Sequence, residues 1–147
     1  MADKQTLIKA VLTGSAAWTA LCAAAETYLP DDLGRMGLAP NNSHVDANGK
    51  LLPSTVITFG TSIQAELPQS TEREFMTLWF YVDNSYSTLR AMRRKAKDLL
   101  NRKQLGATTD EKSPFLFWVN DTPERPDDSM GGALSCSSRY LILFRRG

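Results

Sequence analysis

A strand of period two that runs directly into a helix of period 3.6 constrains this chain more than any other feature. From Glu72 to Asp83, Met76, Leu78, Phe80 and Val82 point to one side, while Thr77, Trp79 and Tyr81 point to the other. The first set is wholly apolar and belongs against a core. The second is amphipathic, compatible with cover by only a loop or by another subunit. Asp83-Asn84-Ser85 then supplies capping residues, after which Leu89, Met92, Ala96, Leu99 and Leu100 fall on one helical face. That face is expected to pack on the sheet.

The flanks of this helix are basic. From Ser85 to Leu105 there are seven Lys and Arg (Arg90, Arg93, Arg94, Lys95, Lys97, Arg102, Lys103) against one acid, Asp98, a net of +6. The whole 147-residue chain has a formal charge of only +1, so the remainder is −5. Arg90, Arg93, Arg94 and Lys97 gather on one flank, with Lys95 and Arg102 on the opposite one. Three roles are compatible with such a helix: a solvated face, a contact to nucleic-acid phosphates, or a contact to the acidic surface of a second subunit. Composition does not choose among them, although the protein as a whole is not basic and the helix carries no interleaved exposed aromatics.

The flanking segments complete an α+β pattern. Leu7, Val11, Trp18, Leu21, Cys22 and Ala25 recur at helical spacing, predicting one N-terminal helix or two short ones broken at Gly14-Ser15, with Ser15 as the second cap and Pro30 as the stop. Residues 31–53 are rich in Gly, Pro, Asn and Asp and read as a long loop, either functional in itself or ordered only by a partner. Within it, Asp46 to Gly49 marks a turn. Strands are expected at Ser54–Thr61, Pro114–Asn120 and Ser137–Arg145, with an acidic loop over Asp121–Gly132 and Gly106 ending the central helix. The sum is a single domain over residues 1–147: a mostly antiparallel sheet with an N-terminal helix and the central helix packed on one face.

Motifs for chemistry are sparse. His44 is the only histidine, and with Ser43 and Asp46 beside it in a loop it lacks the scaffold that a hydrolytic triad requires. Asp46 to Gly49 lacks the ligand spacing and terminal Glu of a calcium loop. Glu124, Asp127 and Asp128 read as an acidic surface loop before a cation site. Cys22 and Cys136 have no metal-ligand spacing and are expected to be buried and reduced. The run Ala10–Ala25 is diluted by Thr13, Gly14, Ser15 and Thr19 and follows Asp3, which disfavours a secretory signal. No stretch supplies the ~20 apolar residues of a membrane span, so the expectation is a soluble, intracellular protein without cofactor or metal.

The order of the pieces resembles a known family. LIKAVLTGSAAWTALC leads through a loop to LPSTVITFG, then to the long strand, the helix SYSTLRAMRRKAKDLLNR and a closing RYLILFRR. This resembles the tail-completion or tail-terminator proteins of long-tailed bacteriophages, and more broadly the small α+β proteins of the phage neck, with the best match from Arg73 to Leu105. The resemblance lies in hydrophobic pattern and element order, and residues 31–53 exceed the family pattern. It implies a ring, usually hexameric, that halts polymerisation of the tail tube and presents a surface to head-side connector proteins, with DNA passing through the lumen. It implies no chemistry, no cofactor and no membrane. Trp79 and Tyr81, the cations Arg90, Arg93, Arg94 and Lys97, and the acids Asp127 and Asp128 are the interface residues to which this reading points. Its near alternative is a head-completion stopper or adaptor; from other classes come a nucleic-acid binder using residues 85–105 and a small hydrolase at His44.

Overall fold

The computed structural model describes residues 4–23, 26–29, 51–60, 63–64, 71–83, 85–105, 114–127 and 133–145. In chain order these form α1 (Lys4–Thr13), α2 (Ala16–Leu21), β1 (Thr27–Tyr28), β2 (Ser54–Phe59), β3 (Ile63–Gln64) and β4 (Thr71–Val82). There follow α3 (Tyr86–Leu100), β5 (Lys103–Gln104), β6 (Phe115–Asp121), β7 (Arg125–Asp127) and β8 (Ala133–Arg145). The fold is α+β. The strands make one eight-stranded sheet in the order β1-β2-β4-β8-β6-β5, with β3 also on β4 and β7 also on β8. Every described pairing is antiparallel except β1 with β2.

The centre of the sheet is the ladder between β4 and β8, paired from Thr71 opposite Arg145 to Val82 opposite Leu134. Side chains directly opposite each other share a face. Met76 therefore meets Tyr140, Phe80 meets Cys136, and Val82 meets Leu134 on the inner face. β2 adds Thr55 and Ile57 to that face, and β6 adds Leu116. On this surface lie Ile8 and Leu12 of α1, Trp18 of α2, and Leu89, Met92, Ala96 and Leu100 of α3, all fully buried. The described helices thus share one side of the sheet. The expected apolar faces of β4 and α3 are those observed, with Leu99 only partly buried at the margin.

The N-terminal helix is two helices. Gly14 donates its N–H to the Ala10 carbonyl (2.8 Å), and a Cβ there would lie 2.8 Å from the same oxygen, so the tight exit from α1 requires glycine. Ser15 caps α2, its side chain accepting from the Trp18 N–H. Pro30 does not end α2, contrary to expectation; the helix stops at Leu21 with Cys22 as its C-cap. The reason is tertiary. Trp18 Nε1 donates to Thr27 Oγ1 (3.2 Å), and the Cys22 thiol sits 3.6 Å from the hydroxyls of Thr27 and Thr55. These contacts pull the chain into β1, a strand too short to leave a period.

The end of α3 also departs from expectation. Gly106 lies outside the described residues, and the helix has already ended at Asn101. Asn101 donates its N–H to the Lys97 carbonyl, and its side-chain oxygen accepts from the Trp118 N–H (2.8 Å). Arg102 takes the left-handed position at φ 58°, with its N–H donated to the Leu116 carbonyl (2.7 Å). Pairing with β6 therefore decides where α3 stops. β8 begins at Ala133 rather than Ser137, and the expected loop after Asp121 contains β7, held against Ser135, Leu134 and Ala133. His44, Asp46 and nearly all of the long loop lie outside the described residues.

Trp18 is fully buried, hydrogen-bonded, and edge-on to Phe80 at 6.3 Å. Trp18→Ala should lower unfolding free energy by about 3–5 kcal/mol, measured from the urea midpoint. Arg102→Gly should raise it by up to about 1 kcal/mol, since removing the Cβ relieves left-handed strain at a smaller cost in chain entropy.

Candidate functional site

Two surfaces stand out, one on each side of the sheet. The first is a cleft of ≈ 230 Å³ lined by Arg90, Arg93, Arg94, Lys97 and Asp121. It exists because residues four apart on a helix stack over one another, so Arg90, Arg94 and Arg93, Lys97 form adjacent rows. Ser85 fixes the start of that helix, accepting from the Thr88 N–H (3.2 Å). β6 and the segment leading to β7 build the opposite wall.

The cations of this cleft are not equivalent. Arg93 reaches inward: Nη2 bonds Glu124 Oε1 (3.1 Å), Nη1 donates to the Thr122 carbonyl (3.3 Å), and Nε lies 3.6 Å from Asp121 Oδ2. Arg90 also bonds Glu124, through Nε at 2.9 Å, but its side chain is 59% exposed against 22% for Arg93. The ammonium of Lys97 lies 3.8 Å from the centroid of the Trp118 ring, a cation–π contact. The Trp118 indole N–H donates in turn to Asp121 Oδ1 (2.9 Å), which also accepts from Ser138 Oγ (2.6 Å). Arg94 is exposed and has no partner among the described residues.

Glu124 is the hub of this arrangement. A backbone hydrogen bond and the Arg90 side chain hold its carboxyl below the ordinary value of 4.5. The acidic loop is thereby tied to the basic helix of the same molecule. Within the molecule Arg93 is engaged by Glu124, Thr122 and Asp121, and Glu124 is neutralised by two guanidinium groups. Among the described residues there is no group of three or more His, Cys, Asp or Glu that could hold a metal. Cys22 and Cys136 are free and buried. Burial raises both thiols, Cys136 to about 11, so they stay protonated and unreactive at neutral pH.

The second surface is the outer face of the sheet, opposite the helices. A groove of ≈ 480 Å³ there is lined by residues that include Phe75, Thr77, Trp79, Asn120 and Arg139. Trp79 is 40% exposed and donates its indole N–H to Thr58 Oγ1 (3.2 Å). The Arg139 guanidinium lies 3.9 Å from the Phe75 ring centroid. Tyr81 shares this face, two residues along β4 from Trp79. The expected interface residues therefore divide: Trp79 and Tyr81 lie on the outer face, and the four cations on the α3 side. Asp128 and the side chain of Asp127 lie outside the described residues. Sequence reasoning missed Phe75 and Arg139 on the outer face, although the period that placed Trp79 also places Phe75. It missed Trp118 and Asp121 in the cleft, because no local pattern relates β6 to α3.

No family model and no curated protein matches this sequence. Among solved structures, the chain is similar to one from the virion of a native gene transfer agent particle, with a TM-score of 0.66 and 11% identity. The superposition covers 97% of this chain and 95% of that chain. At that identity the likeness is one of fold, and it runs over almost the full length of both.

Because Glu124 is held below its ordinary value, it stabilises the native state above the unfolded-state range, and this contribution is lost as pH falls through the lowered native value. Glu124→Gln should cost about 1 kcal/mol at pH 7. The gap between variant and wild type in urea titrations should close on acidification below pH 4.5, the ordinary value.

Proposed function

We propose that this chain is a structural, non-enzymatic protein of a phage-like virion, forming a ring at the head–tail interface. In this reading the ring ends the tail tube and joins it to the head-side connector, with DNA passing through its lumen. Assembly takes place in the host cytoplasm, and the mature location is the tail or neck. The observation that carries the reading is the near full-length fold likeness to a chain of a gene transfer agent virion. The order of strand, basic helix and closing strand supports the tail-terminator position in particular.

The α3 cleft fits a contact between copies better than a DNA reader. Glu124 and Asp121 already draw on Arg90 and Arg93, which weakens the positive field that phosphates require. Arg94 and the exposed side of Arg90 stand at the rim beside Lys97, and in this reading the three meet an acidic surface of a neighbouring copy. Among the described residues no helix is long and apolar enough to cross a membrane.

Deleting the gene in the producing phage should leave unjoined heads and tails, with tails longer than normal in negative-stain micrographs. Tails of normal length beside heads that lose DNA would move the protein to the head-completion position. Arg90, Arg94 and Lys97 all changed to Glu should abolish the ring in native mass spectra while far-ultraviolet circular dichroism stays native. An undiminished ring would remove these residues from the interface.

A further inference from the structure

Arg139 is exposed on the outer face of the sheet, opposite Thr77 in the central ladder. Its diagonal neighbours on β4 are Phe75 and Trp79. The guanidinium lies 3.9 Å from the Phe75 centroid, and it makes no hydrogen bond or ion pair among the described residues. Stacking of this kind steadies the group and leaves its fork of N–H donors open to an oxyanion. On the other side, Trp79 is 40% exposed. Its indole N–H is bonded to Thr58 Oγ1 (3.2 Å), which fixes the ring by its edge and does not use its π face. Asn120 is opposite Arg139 on β6 and lines the same groove of ≈ 480 Å³, a size within the ligand range. Arg73 continues the positive charge, exposed on the same face and likewise unpaired among the described residues. It lies four residues along β4 from Thr77, about 13 Å. Carboxylates stand elsewhere. Glu74 is buried on the inner face, and Asp121 and Glu124 bond on the α3 side. Asp127, which register puts on the outer face, is opposite Ala133, about 20 Å along β8 from Arg139.

An open guanidinium fork beside an open indole face selects its ligand by chemistry. The fork takes an oxyanion, and the ring takes a flat aromatic group. A nucleotide unit carries both. A strand of them repeats both, which brings a second phosphate to Arg73 beyond the groove. Proteins that hold single strands without sequence preference combine these two elements, cations along the backbone and aromatic side chains under the bases. A duplex keeps its base faces stacked within the helix and offers Trp79 nothing, and an acidic peptide would occupy the arginines and leave the ring unused. We propose that the outer face binds single-stranded nucleic acid, with Arg139 and Arg73 on phosphates and Trp79 stacked on a base. One chain forms the whole platform, so the site stands apart from the ring reading, and it lies on the side of the sheet opposite α3.

The test is fluorescence anisotropy of a labelled oligothymidylate, titrated with the purified full chain across a salt series. Two phosphate contacts predict a slope of log affinity against log salt of about −1.4 for a single strand. Arg139→Gln should bring that slope to about −0.7. Trp79→Ala should weaken binding roughly fivefold or more and leave the slope unchanged. Absence of binding at the lowest salt overturns the proposal. So does displacement of the strand by an equimolar duplex, or by polyglutamate, the latter in favour of an acidic protein surface as the occupant. Binding that Arg94→Gln weakens and Arg139→Gln does not would place the strand on α3 and overturn the outer site. If Trp79→Ala loses native circular dichroism, Arg139→Gln decides alone: a slope smaller by about 0.7 supports the site, and an unchanged slope overturns it.

Discussion

The rest of the molecule is built on the ladder between β4 and β8. It runs the full twelve residues of β4, and its register allows no slip. A shift by one residue would send Met76, Leu78 and Phe80 outward and bring Thr77 and Trp79 into the core. With the register set, the inner face becomes a largely apolar floor from Ile57 to Leu116, interrupted by Thr55, Glu74 and Ser138, and the described helices bury their apolar stripes on it. The outer face is fixed by the same register. Its aromatic residues follow from alternation.

The charged groups are organised by that packing. Once α3 lies across β4, β8 and β6, its basic flank overhangs the segment from Asp121 to Glu124. The two carboxylates then pair with Arg93 and, through Glu124, with the more exposed Arg90, and leave Arg94 in solvent at the rim. Lys97 is further held by the Trp118 ring, whose indole N–H is directed by Asp121. What the sequence presents as a uniform basic helix is thus a clamp with an exposed margin. A charged residue that locks its own fold and one that greets a partner look identical in composition, and only their neighbours tell them apart.

The fold likeness to a virion chain at 11% identity has a related physical meaning. An assembly protein needs a stable sheet-and-helix body and faces that match its neighbours. The body is specified by hydrophobic period and register, which many sequences satisfy. The faces are specified by particular charges and aromatic side chains, which can differ between assemblies. A likeness at that identity therefore reports the body and not the faces.

Elements with a clear period were legible in the chain alone: the inner and outer faces of β4, the buried stripe and Ser85 cap of α3, the Ser15 cap of α2, and the α+β class. These are local consequences of side-chain spacing, and nothing distant has to be known to read them. Packing was needed to set the early stop of α2, the end of α3 at Asn101 and Arg102, and the short strands β1, β5 and β7. Each of these depends on a hydrogen bond to a partner far along the chain: Trp18 to Thr27, Asn101 to Trp118, Thr122 to Ser137. The division of the cations belongs with them. Arg93 and Arg94 are adjacent and chemically identical, yet one faces Glu124 and the other faces solvent, because a helix turns about 100° between them and β6 lies on only one side.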